Sequence, residues 1–220
     1  MLKRIGIPAY RLGPNSFGIT SPYMEFIETF GEPVILHPNT PVMDNLDLLI
    51  LPGGPDVDSW RYSQYPGPFT QAPSTTLEWF DRQKLPAYID NGTPIFGICR
   101  GLQTLVVHFG GELLQHVIQE TNSENDRSDL VHTLTPIEDS IADLPFKPQA
   151  YKENDKNKQI HVNSLHHQAA REKKLPDALK ADYTSMGYSK GTWYRLAEAI
   201  RHKSLNIAAV QWHPRFLGLN

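Results

Sequence analysis

Among 220 residues there is one cysteine, Cys99, and it stands between two glycines in the segment Gly97-Ile98-Cys99-Arg100-Gly101. An isolated cysteine is more often an ordinary core residue than a nucleophile. Small residues on both sides change that weighting, because a sharp strand-turn-helix elbow needs them to hold a side chain clear of a sheet edge, as in the G-x-S-x-G elbow of esterases. A thiol reacts as its thiolate, and a helix N-terminus beside a histidine lowers its pKa. Position 99 offers the helix start. An acyl-transfer site also needs donors aimed at the developing oxyanion, and the backbone N–H of Arg100 is one. Gly53 and Gly54, in the turn Pro52-Gly53-Gly54-Pro55, can bring a second N–H close because they lack Cβ, although such a turn is as often a plain strand exit.

The elements that must position these residues follow from the apolar pattern. Strand-length apolar runs alternate with helix-length segments over the first half, the rhythm of βαβ units feeding a mostly parallel sheet in an α/β fold. Strands are expected at 5–10, 33–36, 46–51 and 93–98, the last running directly into Cys99, after which Leu102, Leu105, Val106 and Phe109 recur at helical spacing. A helix over 22–30 and another over 75–91 complete the pattern, the second capped by Ser74 and kinked or shortened at Pro86. The stretch 56–73 reads as a long ordered loop, and long loops in compact domains tend to be functional. Beyond the polar excursions 119–130 and 151–159, strands at 131–137, 159–162, 196–201 and 206–212 form a more antiparallel half. The last of them delivers His213 and Pro214.

Composition narrows the function. Twenty-one Lys plus Arg against 24 Asp plus Glu give a net charge of −3 without a basic stripe, so no nucleic-acid partner is expected. No window approaches a membrane span, and the apolar stretch before Pro8 is too short for a signal peptide. One cysteine excludes an intramolecular disulfide and a Cys-rich zinc site, and points to the reduced cytoplasm. The whole chain, 1–220, reads as a single domain.

Four motifs, LPGGPDVD at 51–58, FGICRGLQ at 96–103, VNSLHHQA at 162–169 and VQWHP at 210–214, resemble in content and order the class I glutamine amidotransferase family, and within it the γ-glutamyl-γ-aminobutyrate hydrolase branch, peptidase family C26. The resemblance implies a three-layer, flavodoxin-like α/β sandwich. It implies that Cys99 attacks the γ-carbonyl of glutamine or a γ-glutamyl amide, with His213 as general base and then acid, through a thioester. It also implies that Gly54 and Arg100 supply oxyanion N–H groups and that Gln103 binds the glutamyl moiety. Ser164, His166, His167 and Gln168 match the segment lining the head-group pocket, and the 56–65 stretch matches a specificity loop. No metal or organic cofactor is required. His166 and His167 are adjacent and so point apart, which argues against joint metal ligation. The side chain of Arg100 can contact a substrate carboxylate or act as a salt-bridged cap, and Trp60, Tyr62 and Tyr65 can line a cleft or pack the loop onto the core.

One position departs from the pattern. Where the family motif His-Pro-Glu places a glutamate that accepts the imidazole N–H, this chain has Arg215, an obligate cation without an acceptor. Glu198 on the neighbouring strand is a candidate substitute. The chain ends at Asn220, where relatives continue into a terminal helix, and the open surface suits a partner. Three readings follow: a γ-glutamyl amide hydrolase, a glutaminase passing ammonia to a synthase on another chain, and a catalytically impaired binding protein. The partners to expect are a synthase, for the glutaminase reading, or a second copy of the chain.

Overall fold

The computed structural model describes residues 2–14, 16–119, 132–137 and 160–214. Arg215 and the polar excursions at 120–130 and 151–159 lie outside the described residues. The first half runs β1 (Arg4–Pro8), a hairpin of β2 (Tyr10–Gly13) and β3 (Ser16–Gly18), α1 (Ser21–Glu28), β4 (Glu32–Leu36), β5 (Leu48–Leu51), a 3-10 turn (Ser59–Tyr62), α2 (Thr75–Gln83), α3 (Leu85–Asp90), β6 (Ile95–Ile98) and α4 (Arg100–His108). Strands dominate the second half: β7 (Leu113–Leu114), β8 (Ile118–Gln119), β9 (His132–Pro136), β10 (Ile160–Val162), β11 (Ala169–Ala170), β12 (Leu179–Ser189), β13 (Thr192–His202) and β14 (Ile207–Val210).

Among the described residues ten strands form one sheet in the order β10-β9-β12-β13-β14-β6-β5-β1-β4, with β8 pairing β12 off this path. The half from β14 to β4 is parallel throughout. From β13 outward every pairing is antiparallel, so the sheet is mixed, as the changed pattern of the second half leads one to expect. In the parallel half, successive residues serve opposite faces. Leu49 and Leu51 of β5 pack with Leu102 and Leu105 of α4 and with Phe80 and Leu85 of α2 and α3. Ile50 between them packs with Phe26 and Ile27 of α1. Helices therefore cover both faces of the parallel strands, which makes the three-layer α/β sandwich.

Two local outcomes have plain causes. The helix expected over 75–91 divides into α2 and α3 at Lys84, because Pro86 in the first turn of α3 has no N–H to continue the ladder. The long strand β12 is absent from the sequence expectation. Its buried positions include Asp182, Thr184, Ser185 and Ser189, so the apolar alternation that marks a strand is missing.

Candidate active site

Cys99 is the residue between β6 and α4, with φ 53° and ψ −104°. That backbone is one a side chain rarely adopts, and it is held by hydrogen bonds on both sides. The Cys99 N–H donates to the Val210 carbonyl at 2.8 Å, and its own carbonyl accepts from Leu102 N at 3.0 Å. The flanking glycines let the elbow close. A Cβ on Gly97 would lie 2.7 Å from the Gly101 carbonyl carbon, and one on Gly101 would run into the Leu51 carbonyl oxygen, so α4 starts directly against β5 and β6.

The carboxyl ends of three adjacent parallel strands converge on this point: β5 leads to Gly53 and Gly54, β6 to Cys99, and β14 to His213. In open α/β sheets this edge is where ligands bind. The imidazole of His213 sits against the β5 exit, where a Cβ on Gly53 would be 2.6 Å from Cε1 and 3.3 Å from Nε2. Gly53 N–H donates to the Tyr23 hydroxyl at 2.6 Å, and Cys99 lies close enough to Tyr23 to raise its pKa along with burial. Gly54 lies against the Arg100 side chain, with a Cβ position 3.3 Å from Cδ. The two expected oxyanion donors thus belong to neighbouring residues, and the Arg100 N–H already acts on the Cys99 sulfur.

Electrostatics at the pair differ from the sequence expectation. A helix N-terminus was expected to lower the thiol pKa, but burial pushes Cys99 up to about 12, and Glu198 adds to the rise. The Arg100 N–H and guanidinium and the Gln211 amide oppose it without overcoming it. The desolvation of a residue that is 5% exposed outweighs the dipole of one helix end. His213 is pushed down to about 4 by burial and by His166. At neutral pH the resting pair is therefore a neutral thiol and a neutral imidazole.

Asn163 grips the main chain of His213 from both sides. Its Oδ1 accepts from the His213 N–H at 2.9 Å and its Nδ2 donates to the His213 carbonyl at 2.7 Å. Imidazole Nδ1 is buried and has no hydrogen-bond partner among the described residues. Glu198 does not fill that place. It accepts from Ser185 Oγ at 2.7 Å and faces His132 Nε2 at 3.4 Å. Burial pushes its pKa up, but His132, His166 and Ser185 outweigh burial and hold it down at about 2. The carboxylate belongs to a buried His132 and Ser185 cluster rather than to His213.

The residues of the expected head-group pocket divide between contacts. Gln103 Nε2 donates to the Gln168 carbonyl at 2.9 Å and to Gln211 Oε1 at 3.3 Å. His166 and His167 do point apart: His166 Nδ1 donates to the Gln168 carbonyl at 3.0 Å, while His167 Nε2 pairs with Asp56 Oδ1 at 3.0 Å. The Gln168 amide accepts from Val57 N at 3.1 Å and donates to Tyr62 Oη at 3.3 Å, pinning the 56–62 loop. Ser164 is buried. In the loop Tyr62 packs into the core, whereas Trp60 and Tyr65 are exposed and meet edge to face at 4.8 Å. The Arg100 side chain is the salt-bridged cap, 2.6 Å from Glu78 and 2.9 Å from Asp81, with Arg61 joining the same carboxylates. Tyr23, Asn163 and Gln211 had no assigned role in the sequence. Asn163 and Gln211 stand within the quoted motifs, but nothing in their types marks them, and Tyr23 is far from any motif.

Among the described residues no group of three or more His, Cys, Asp or Glu side chains is placed to hold a metal ion, and no helix is long and apolar enough to cross a membrane. The glutamine amidotransferase-like protein YvdE of Lactococcus lactis is 28% identical over 204 residues, spanning 87% of this chain and 78% of that one. A Schizosaccharomyces pombe protein bearing the name glutamine amidotransferase is 31% identical over 205 residues, 89% of this chain and 74% of its own. The fold matches a crystal structure of a glutamine amidotransferase from Thermotoga maritima, with TM-score 0.56 at 14% identity, covering 97% of this chain and 76% of that one. The family description peptidase C26 matches residues 12–215. The chain belongs to the peptidase C26 family of glutamine amidotransferase-like proteins.

Proposed function

We propose that the protein hydrolyses a γ-glutamyl amide, glutamine or a γ-glutamyl amine, through a γ-glutamyl thioester on Cys99. The observation that carries this reading is the convergence of the Cys99 elbow, the Arg100 N–H beside the sulfur and the His213 imidazole against Gly53 at one sheet edge.

The neutral resting pair sets the order of events. Cys99 Sγ attacks the γ-carbonyl carbon as His213 takes the thiol proton, so the thiolate forms only as the C–S bond does. The N–H groups of Arg100 and Gly54 receive the oxyanion. Collapse breaks the C–N bond, and the imidazolium returns its proton to the departing amine. A water molecule, losing a proton to His213, then attacks the thioester and releases glutamate, and the proton returns to sulfur. His213 is oriented through its main chain by Asn163 and sterically by the β5 exit. The single domain, 1–220, acts without a cofactor in a reducing compartment where its free thiol survives.

A coupled assay for glutamate across a panel of γ-glutamyl amines and L-glutamine tests the reading. Turnover that Cys99→Ala abolishes is the expected result. No turnover of any donor by the folded protein returns the choice to a binding role, and glutamine turnover that requires an added synthase makes it the glutaminase of a two-chain enzyme.

A further inference from the structure

A buried thiol pushed up to about 12 is a poor nucleophile unless something receives the charge that develops on it. The charged and titratable groups around Cys99 give limited help. Glu198 on β13 opposes ionisation, Tyr23 on α1 is neutral, and the Arg100 guanidinium on α4 favours the thiolate but is already engaged by Glu78 and Asp81. One uncommitted donor remains in the immediate surroundings. Gln211 is fully buried at the end of β14, and its Nε2 has no hydrogen-bond partner among the described residues other than the Cys99 sulfur, on which the amide acts.

The orientation of that amide is dictated by its neighbours. The Gln168 carbonyl can only accept, so Gln103 presents its NH₂ group there at 2.9 Å. The same nitrogen reaches Gln211 Oε1 at 3.3 Å, which fixes that end of the amide as oxygen and turns Nε2 away from Gln103. Cys99 follows Ile98, the register partner of Val210, and its own N–H donates to the Val210 carbonyl, which sets Cys99 beside Gln211 on the neighbouring strand. The Gln211 main chain is pinned in turn, its N–H donating to the Glu198 carbonyl at 2.7 Å.

We infer that Gln211 is a further catalytic residue, whose Nε2–H is kept free of every other partner so that it can donate to the Cys99 sulfur as the thiolate forms. A neutral thiol is a weak acceptor and a thiolate a strong one, so the hydrogen bond closes only when charge appears. That the Gln211 amide shifts the Cys99 thiol towards ionisation agrees with this placement. The inference rests on the proposed role of Cys99 but concerns the sulfur itself, so it can be read without turnover.

Because Cys99 is the only cysteine, iodoacetamide alkylation reports it alone. The second-order rate is measured from pH 7 to 10 in the full chain and in Gln211→Leu and Gln211→Glu, with circular dichroism and melting temperature as controls on folding. Loss of the donor is expected to slow alkylation about tenfold at each pH, one pKa unit of thiolate. The isosteric carboxylate of Gln211→Glu is expected to slow it further. Rates within twofold of the parent in either folded variant overturn the inference. Should both variants lose the fold, Gln103→Leu decides, since it leaves Gln211 in place but removes the bond that aims its amide; an unchanged rate there overturns the inference too. Slowed alkylation in a protein that hydrolyses no donor would leave the role of Gln211 intact and sink the proposed function, whereas turnover with unchanged alkylation would do the reverse.

Discussion

The imidazole of His213 occupies space that a side chain at Gly53 would need, with only 2.6 Å between Cε1 and a Cβ at that position. The same Cβ would crowd the Tyr23 hydroxyl at 3.0 Å. Gly53→Ala must therefore displace the His213 imidazole, the tyrosine or the β5 exit. Overpacking of this kind costs about 1–3 kcal/mol, which a domain of this size survives. A displacement of about 1 Å at a reacting group costs on the order of 10²-fold in rate. Glutamate release is expected to fall by about that factor while the melting temperature drops only a few degrees, and full activity in Gly53→Ala would remove the steric account of how His213 is held.

The two Asn163 hydrogen bonds act on the backbone of the same histidine. With no acceptor on Nδ1 among the described residues, they carry much of its positioning. Asn163→Ala removes both, at about 0.5–1.5 kcal/mol each. Asn163→Asp keeps the acceptor for the His213 N–H and loses the donor to its carbonyl. The expected order of kcat is parent, then Asn163→Asp, then Asn163→Ala, with KM changing less than kcat. Equal kcat across the three would show that the backbone clamp does not set the imidazole.

The Arg100 side chain serves the fold, whereas the proposed oxyanion role belongs to its backbone N–H. Its guanidinium is buried between Glu78 and Asp81 and also reaches Thr104 Oγ1 at 3.1 Å, tying α4 to α2. Arg100→Leu leaves the two buried carboxylates with Arg61, and Glu78 in addition with the half-exposed Arg82 at 3.9 Å, a loss of about 3–5 kcal/mol. Urea unfolding should show a lower midpoint at an unchanged slope. A stability equal to that of the parent would mean that the cluster contributes specificity rather than stability.

How far the sequence discloses this site depends on which interactions are local. The elbow is legible because Ile95–Ile98, Cys99 and the helical spacing after it are contiguous, and β14 is legible because Ile207–Val210 runs straight to His213. Contacts that cross the fold leave no such trace. Tyr23 reaches Gly53 over 30 positions, Asn163 reaches His213 over 50, and Gln168 reaches Val57 over 111. The raised thiol pKa escapes for the same reason, since desolvation comes from every element packed around Cys99 and not from its neighbours in the chain. Strand β12 is hidden because its polar side chains are buried against partners such as Glu198, which Ser185 contacts from across the hairpin.

Protonation gives the stability a pH dependence with two opposing parts. The folded-state pKa of His213 lies near 4, below the ordinary 6.5, so the unfolded chain binds the proton more readily across that window. Its contribution is present above pH 6.5 and is lost as the pH falls towards 4, and His166 and His108, also lowered chiefly by burial, act in the same direction. His167 has the opposite sign. The hydrogen bond to Asp56 raises its pKa, so its contribution is present below the ordinary value and fades as the pH rises through the folded one. His213→Gln is expected to reduce the fall in melting temperature between pH 6.5 and 4, and Asp56→Asn to lower stability near pH 6 more than at about pH 8. Parallel melting curves for parent and variants would contradict both assignments.

Cys99 itself stores strain that a comparison of two variants lacking the sulfur can isolate. Its φ of 53° with ψ −104° lies where side chains are disfavoured, a cost of about 1–3 kcal/mol. Cys99→Ala and Cys99→Gly both remove the sulfur and both leave a small void, but only glycine relieves the backbone. In an unstrained helix or strand glycine is less stable than alanine by about 0.5–1 kcal/mol. At position 99 that order should reverse, with Cys99→Gly melting at or above Cys99→Ala in thermal unfolding at one pH. An alanine variant clearly more stable than the glycine one would mean that the elbow relaxes to an ordinary backbone once the thiol is gone, and that the sulfur's own packing holds the bend.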